Sequence, residues 1–174
     1  MNSERYEILG QIVEAAKMVC ASEKVTPLIP EVRSNITMCT SDPKTPQDVA
    51  GIPGRITVIN GRPAVYAYPD WAASVNTAYV LIMMHSFDKN VRAVMEIRYS
   101  PKLIEALSKA GYTLYEIPDS DSWESTMKKG LTAGHKDLPI FHSKGDWARE
   151  GAVIVSGPDA VTVAKKVLAI AELL

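Results

Sequence analysis

The fold this sequence predicts is α/β: a three-layer α/β/α sandwich with helices on both faces of a mixed sheet. Three observations carry that expectation. Apolar segments of helical period alternate with strand-length runs along the chain. Residues 94–117 read strand, helix, strand, the form of a crossover unit with a parallel pair. Asn60-Gly61, set between two short β-rich runs, demands an antiparallel hairpin, so the sheet is not purely parallel. With 174 residues and no repeat, low-complexity tract or linker, the expectation is one domain spanning 1–174.

The elements follow in order. Residues 3–20 predict a helix, because Ile8, Ile12, Ala15, Ala16 and Val19 recur at helical spacing and Ser3 and Glu4 suit its start. Pro27 and Pro30 force an extended passage. Glu31–Met38 then predicts a short strand with Arg33, Asn35 and Thr37 on one face. Residues 40–47 (TSDPKTPQ) are loop by composition. In DVAGIPGRITVI, Asp48–Ile59, two glycines and Pro53 make a tight turn that hands over at Arg55 to a strand, Ile56–Ile59. Thr57–Ile59 pairs with Pro63–Tyr68 across Asn60-Gly61. A helix over 71–86 follows, with Ala72, Val75, Tyr79, Ile82 and Met83 as its buried stripe and Ser74 and Asn76 near its start. Strands at Val94–Ile97 and Tyr112–Ile117 flank a helix that Pro101 opens and Gly111 ends. A short helix from Trp123 to Lys129, strands at Leu138–His142 and Ala152–Ser156, and a last helix over Asp159–Leu174 complete the chain.

Composition narrows the chemistry. The net charge of −1 provides no global field for nucleic acid or acidic lipid, so any anion must be held by local arginines. Cys20 and Cys39 form neither a disulfide framework nor a metal-ligand spacing, and they predict a reducing, cytoplasmic setting. Met1 opens directly into a helical segment, and no run reaches membrane-spanning length, so neither leader nor membrane partner is expected. There is no Gly-x-Gly-x-x-Gly, Walker loop, Gly-x-Ser-x-Gly elbow or His-Glu-x-x-His pair. His85, His135 and His142 lie on separate segments, and no metal site is expected of them. Asp119 and Asp121 have a spacing that would admit a divalent cation, a weak signal.

What remains is a set of cationic and polar residues at turns and strand ends: Arg33, Asn35, Arg55, Arg98, Lys144 and Arg149. Arg55, with five donors in a planar fork on a rigid turn, suits phosphate or carboxylate. Arg98 ends a strand, where open α/β sheets tend to bind ligands. The first turn of the 71–86 helix offers unpaired N–H groups and a positive dipole end. The alternative for each is a solvated surface group. The class of ligand indicated is one carrying phosphate or carboxylate.

Four stretches together resemble the ThiN family, the archaeal-type thiamine-phosphate synthase domain: IPEVRSNI (29–36), DVAGIPGRI (48–56), MEIRYS (95–100) and GDWAREGAVIVSG (145–157). They occur in the family's order and span most of the chain. The resemblance implies an α/β/α sandwich similar to class II aldolases. It implies a reaction joining hydroxymethylpyrimidine diphosphate to thiazole phosphate with release of diphosphate. Arg55 takes the place of the family's catalytic arginine. Arg33, Asn35, Ser74, Asn76, Arg98, Lys144 and Asp146 are the substrate-binding candidates that follow. No cofactor is called for beyond a divalent cation travelling with the diphosphate, and a homo-oligomer with a shared site is compatible.

The chain departs from the family pattern at the site. Where the family reads Phe-Gly-Ala-Ser-x-His, this chain reads Trp71-Ala72-Ala73-Ser74-Val75-Asn76. Asparagine donates and accepts hydrogen bonds but carries no proton near neutral pH. Tyr79 stands where an arginine is expected, and Arg149-Glu150-Gly151 where Lys-Glu-Pro is usual. Two readings therefore stand side by side, a synthase that tolerates Asn76 and a non-catalytic module that binds thiamine phosphate or a precursor. A third, an aldolase-type enzyme, wants a histidine cluster that the sequence lacks.

Overall fold

A computed structural model describes residues 3–118 and 123–174. Asp119 and Asp121 lie outside the described residues. The chain runs α1 (Ser3–Cys20), β1 (Ile36–Cys39), β2 (Val49–Gly51), β3 (Thr57–Ile59), β4 (Arg62–Ala64) and β5 (Asp70–Trp71). It continues with α2 (Val75–Phe87), β6 (Ala93–Arg98), α3 (Pro101–Lys109), β7 (Leu114–Glu116), α4 (Trp123–Leu131), β8 (Ile140–Asp146), β9 (Arg149–Gly157) and α5 (Ala160–Ala171). Seven strands form one sheet in the order β5-β2-β1-β6-β9-β8-β7. Every neighbouring pair is antiparallel except β7–β8. The sheet is mixed, as expected.

Strand alternation divides the interior into two cores. Ala93, Met95 and Ile97 of β6 and Val153 and Val155 of β9 point to one face, where α1, α3 and α5 cover them. Val94 and Ile154 point to the other, under Ala78, Leu81 and Met84 of α2 and Met127 and Leu131 of α4. Helix starts are fixed by local chemistry. Ser100 caps α3 by accepting from the Leu103 N–H at 3.1 Å, and Asp159 caps α5 by accepting from the Thr162 N–H at 2.7 Å. Among the described residues, no helix is long and apolar enough to cross a membrane.

Several expectations change. The Asn60-Gly61 hairpin forms, with φ of 51° and 79° at the two turn residues, as a type I′ turn requires. It stands apart as a two-stranded sheet, however, so the mixed character of the main sheet comes from its own strand directions. The strand–helix–strand run links β6 to β7, but β9 and β8 lie between them, and the parallel partner of β7 is β8. The strand expected over 31–38 begins at Ile36, because Arg33 ends a turn at φ 70°. β2 and β5, too short to carry a pattern, pair with each other ahead of α2. β8 and β9 run beyond the expected limits into a hairpin closed by the Asp146–Arg149 pair. α2 begins at Val75, and its buried side is Thr77, Ala78, Leu81, Met84 and His85, while Val75 and Tyr79 are exposed. Its sequence is apolar nearly all round, so periodicity did not choose the face.

Candidate functional site

The arginines at the site sit on two matching turns. One runs from Pro30 to Arg33 and the other from Ile52 to Arg55. Each is closed by an i→i+3 bond: the Arg33 N–H donates to Pro30 O at 2.9 Å, and the Arg55 N–H to Ile52 O at 3.0 Å. Pro53 followed by Gly54 at φ 77° makes the second a type II turn, for which glycine is the natural third residue. Each turn leaves its arginine in the left-handed region, at φ 70° and 67°. Such angles cost non-glycine residues on the order of 1–3 kcal/mol and persist only where the surroundings enforce them.

Here the surroundings are the turns themselves. Arg33 donates to Gly54 O at 3.2 Å, and Arg55 donates to Val32 O at 2.8 Å, so each guanidinium clasps the backbone of the other turn. The chains leaving the turns pair through Ser34 and Ile56, with N–H to O distances of 3.1 and 2.7 Å. Asn35 locks the assembly from below. Its amide donates to Ile52 O at 3.0 Å and accepts from the Ile52 N–H at 2.9 Å. Asn35 is 4% exposed, so both bonds are sheltered from water.

This brace borders a cleft of about 300 Å³ on the α2/α4 face of the sheet. Its floor is polar, with Asn35 just ahead of β1, Glu96 on β6 and Ser143 on β8. Asn76 and Thr77 in the first turn of α2 overhang it, and Trp123 closes the α4 side. Arg149 reaches over the Trp123 ring, with 5.6 Å from guanidinium to ring centre. The cleft therefore gathers Arg33, Arg55, Arg149 and a positive helix end, an arrangement that binds oxyanions. Burial pushes the Glu96 carboxyl above the usual carboxylate range, and the charge on Arg55 partly opposes it.

Of the residues expected from sequence, Arg33, Asn35, Arg55 and Asn76 meet at the cleft. Ser74 is the residue before α2, and its hydroxyl donates to the Thr77 hydroxyl at 3.1 Å. Arg98 faces a neighbouring hollow and pairs with Glu150 at 3.3 Å and Glu31 at 3.5 Å. Glu150 in turn accepts from the N–H groups of Glu31 and Val32 at 3.1 and 3.2 Å. Arg98 thus supports the first turn through Glu150. Lys144 pairs with Glu116 of β7 at 2.8 Å, and Asp146 accepts from the Ala148 N–H at 3.0 Å within the β8–β9 turn, so neither lines the cleft. Glu96, Thr77 and Trp123 were missed. Strand alternation from Arg98 would have placed Glu96 on the same face, but its apolar neighbours gave no hint of a ligand.

The family model for thiamine-phosphate synthase ThiN matches residues 11–169. The chain belongs to the ThiN family. It is 29% identical over 168 residues to thiamine-phosphate synthase ThiN of Methanothermobacter thermautotrophicus, covering 90% of this chain and 88% of that one. It is 32% identical over 147 residues to the bifunctional thiamine biosynthesis protein ThiDN of Methanocaldococcus jannaschii, covering 80% of this chain but 35% of that protein. The crystal structure of the C-terminal domain of protein MJ0236 superposes with a TM-score of 0.79 at 27% identity, over 97% of this chain and 95% of that one. An aldolase II superfamily protein from Pseudomonas syringae gives a TM-score of 0.52 at 12% identity, over 98% of this chain and 75% of that one. The ThiN-type domain thus shares the class II aldolase-like fold.

Proposed function

We propose that the cleft binds thiamine phosphate or its phosphorylated pyrimidine and thiazole precursors, and that it couples the two precursors with departure of diphosphate. The observation that carries this reading is the pair of crossed arginines beside the open end of α2. Coupling two anionic substrates needs donors that are held in place before the leaving group develops charge. Two guanidinium groups fixed by each other's turns supply such donors without reorganisation. Arg55 takes the role of the group that steadies the departing diphosphate, and Arg33 and the α2 N–H groups hold the phosphates. Glu150 is occupied by Arg98 and two N–H groups. Among the described residues no group of three or more histidine, cysteine or acidic side chains is placed to hold a metal ion, and no step is assigned to a cation accompanying the diphosphate.

A second reading rests on Asn76, which stands exposed in the first turn of α2 where the family pattern carries histidine. Binding without turnover, as a sensor or carrier, follows if the reaction needs a proton from that position. General acid–base help is worth about 10²–10⁴-fold in rate. Calorimetric titration with thiamine phosphate, followed by a coupling assay with both precursors, separates the two. Binding with turnover supports the synthase, and binding alone supports the sensor. No binding of product or precursors overturns both. Arg55→Ala should weaken binding about 10- to 100-fold, the scale of a charge-assisted hydrogen bond. Asn76→His should raise turnover if that proton is the limit.

A further inference from the structure

The floor of the cleft holds one group that the anion-binding role leaves unexplained. An acidic side chain beside two arginines and a helix N-terminus works against a phosphate, both by repulsion and by competing for Arg55. Glu96 occupies that position, on the central strand β6 with its side chain on the cleft. Its neighbours on the floor are committed elsewhere. Asn35 spends its carbonyl and amide on Ile52, and Ser143 accepts from the Gly145 N–H at 3.2 Å. Glu150, the other carboxylate of the lining, is held by Arg98 and two backbone N–H groups. The strand is also firmly placed at this point. The Ser34 hydroxyl donates to the Glu96 carbonyl, and β6 pairs on both sides.

We infer that Glu96 is a specificity-determining residue that hydrogen-bonds the amino edge of a nitrogen heterocycle whose phosphate end rests on Arg33 and Arg55. This rests on the phosphate-binding reading above and names the other half of its ligand. A carboxylic acid presents one O–H donor and one carbonyl acceptor. A 4-aminopyrimidine presents a ring nitrogen acceptor beside an N–H donor, so the two edges match through two hydrogen bonds with no net charge buried. The environment suits that form, since burial favours the proton on Glu96. A floor built to pair with an N–H group discriminates against an analogue lacking it, because its own polar atoms are then left unpaired.

The test compares three ligands on three proteins by calorimetry. The ligands are inorganic pyrophosphate, 4-amino-5-hydroxymethylpyrimidine diphosphate and the same molecule without its amino group. The proteins are wild type, Glu96→Ala and Glu96→Gln. In wild type the amino group should strengthen binding about tenfold, the scale of one or two net hydrogen bonds. Glu96→Ala should abolish that preference while leaving pyrophosphate affinity within about twofold, since the phosphate end rests on Arg33 and Arg55 and a neutral Glu96 makes no bond to it. Glu96→Gln, whose amide offers the same acceptor and donor, should keep the preference. Pyrophosphate binding with an amino preference that survives Glu96→Ala would overturn this inference alone. Failure of wild type to bind either pyrophosphate or the pyrimidine diphosphate would overturn the phosphate-binding reading and this inference together.

Discussion

The two faces of the sheet are built to different ends. Under α1, α3 and α5 the apolar lining is continuous, from Ile36 and Met95 through Val153 and Val155. Under α2 and α4 it begins in the same manner with Val94, Ile154 and Phe141. It then gives way within one strand spacing to Asn35, Glu96 and Ser143. The same strands thus contribute side chains to a closed core on one side and to a half-open one on the other. Both faces carry a buried core, but the second stops short of the sheet's end and leaves that end open to the cleft.

That contrast can be broken or sharpened by substitution, from the largest expected change to the smallest. Ile12→Ala, on the closed face, should cost about 2–5 kcal/mol of stability by cavity formation, with pyrophosphate affinity of the folded protein unchanged. Denaturant unfolding and calorimetry on the same sample test this, and a parallel loss of affinity would show that the faces are not separable. Asn35→Ala strips both partners from Ile52 in a buried setting, so a loss of about 1–3 kcal/mol is expected. It should also weaken anion binding, because the turn that presents Arg55 loses its lock.

Arg55→Gly should sit closer to neutral in stability, within about 1 kcal/mol, since glycine relieves the φ of 67° while adding freedom to the unfolded chain. Its affinity for pyrophosphate should nonetheless fall at least as far as in Arg55→Ala. A large destabilisation would make the crossed brace part of the fold rather than part of the site. The smallest effect concerns pH. The Glu96 pKa is raised in the folded state, so its contribution to stability is complete below the unfolded value of about 4.3 and is lost as pH rises through the folded value. Glu96→Gln should therefore melt higher than wild type near pH 8 and gain no such advantage near pH 4.

What was legible in the sequence depended on distance along the chain. The Asn60-Gly61 turn was readable because two adjacent residues at positive φ decide it. The start of α3 at Pro101 was equally local, because proline suits the first helical turn. The side of α2 that packs was not, because a helix as uniformly apolar as VNTAYVLIMMHSF has its face chosen by the sheet it meets. Nor was the order of β6, β9, β8 and β7, which depends on pairings up to tens of residues apart. At the site, the GIPGR turn and its arginine could be singled out from Gly54 and Pro53. That Arg33 forms a matching turn could not, since EVRSNITM carries no glycine or proline between Glu31 and Met38 and reads as a strand. The family resemblance grouped the two stretches in one site, but their crossed pairing is seen only in the structure.

The carboxylate of Glu150 holds three groups from two distant stretches, the N–H of Glu31, the N–H of Val32 and the guanidinium of Arg98. It belongs to the hairpin arm that borders the cleft, while residues 31 and 32 lead into Arg33. Exchange of those two amide hydrogens with deuterated solvent requires that carboxylate to let go. Their exchange rates should therefore report the opening of an arm more than a hundred positions away in the chain. A ligand that bridges Arg33 and Arg149 should slow both amides together, a signal that can be followed in the resting protein without any turnover.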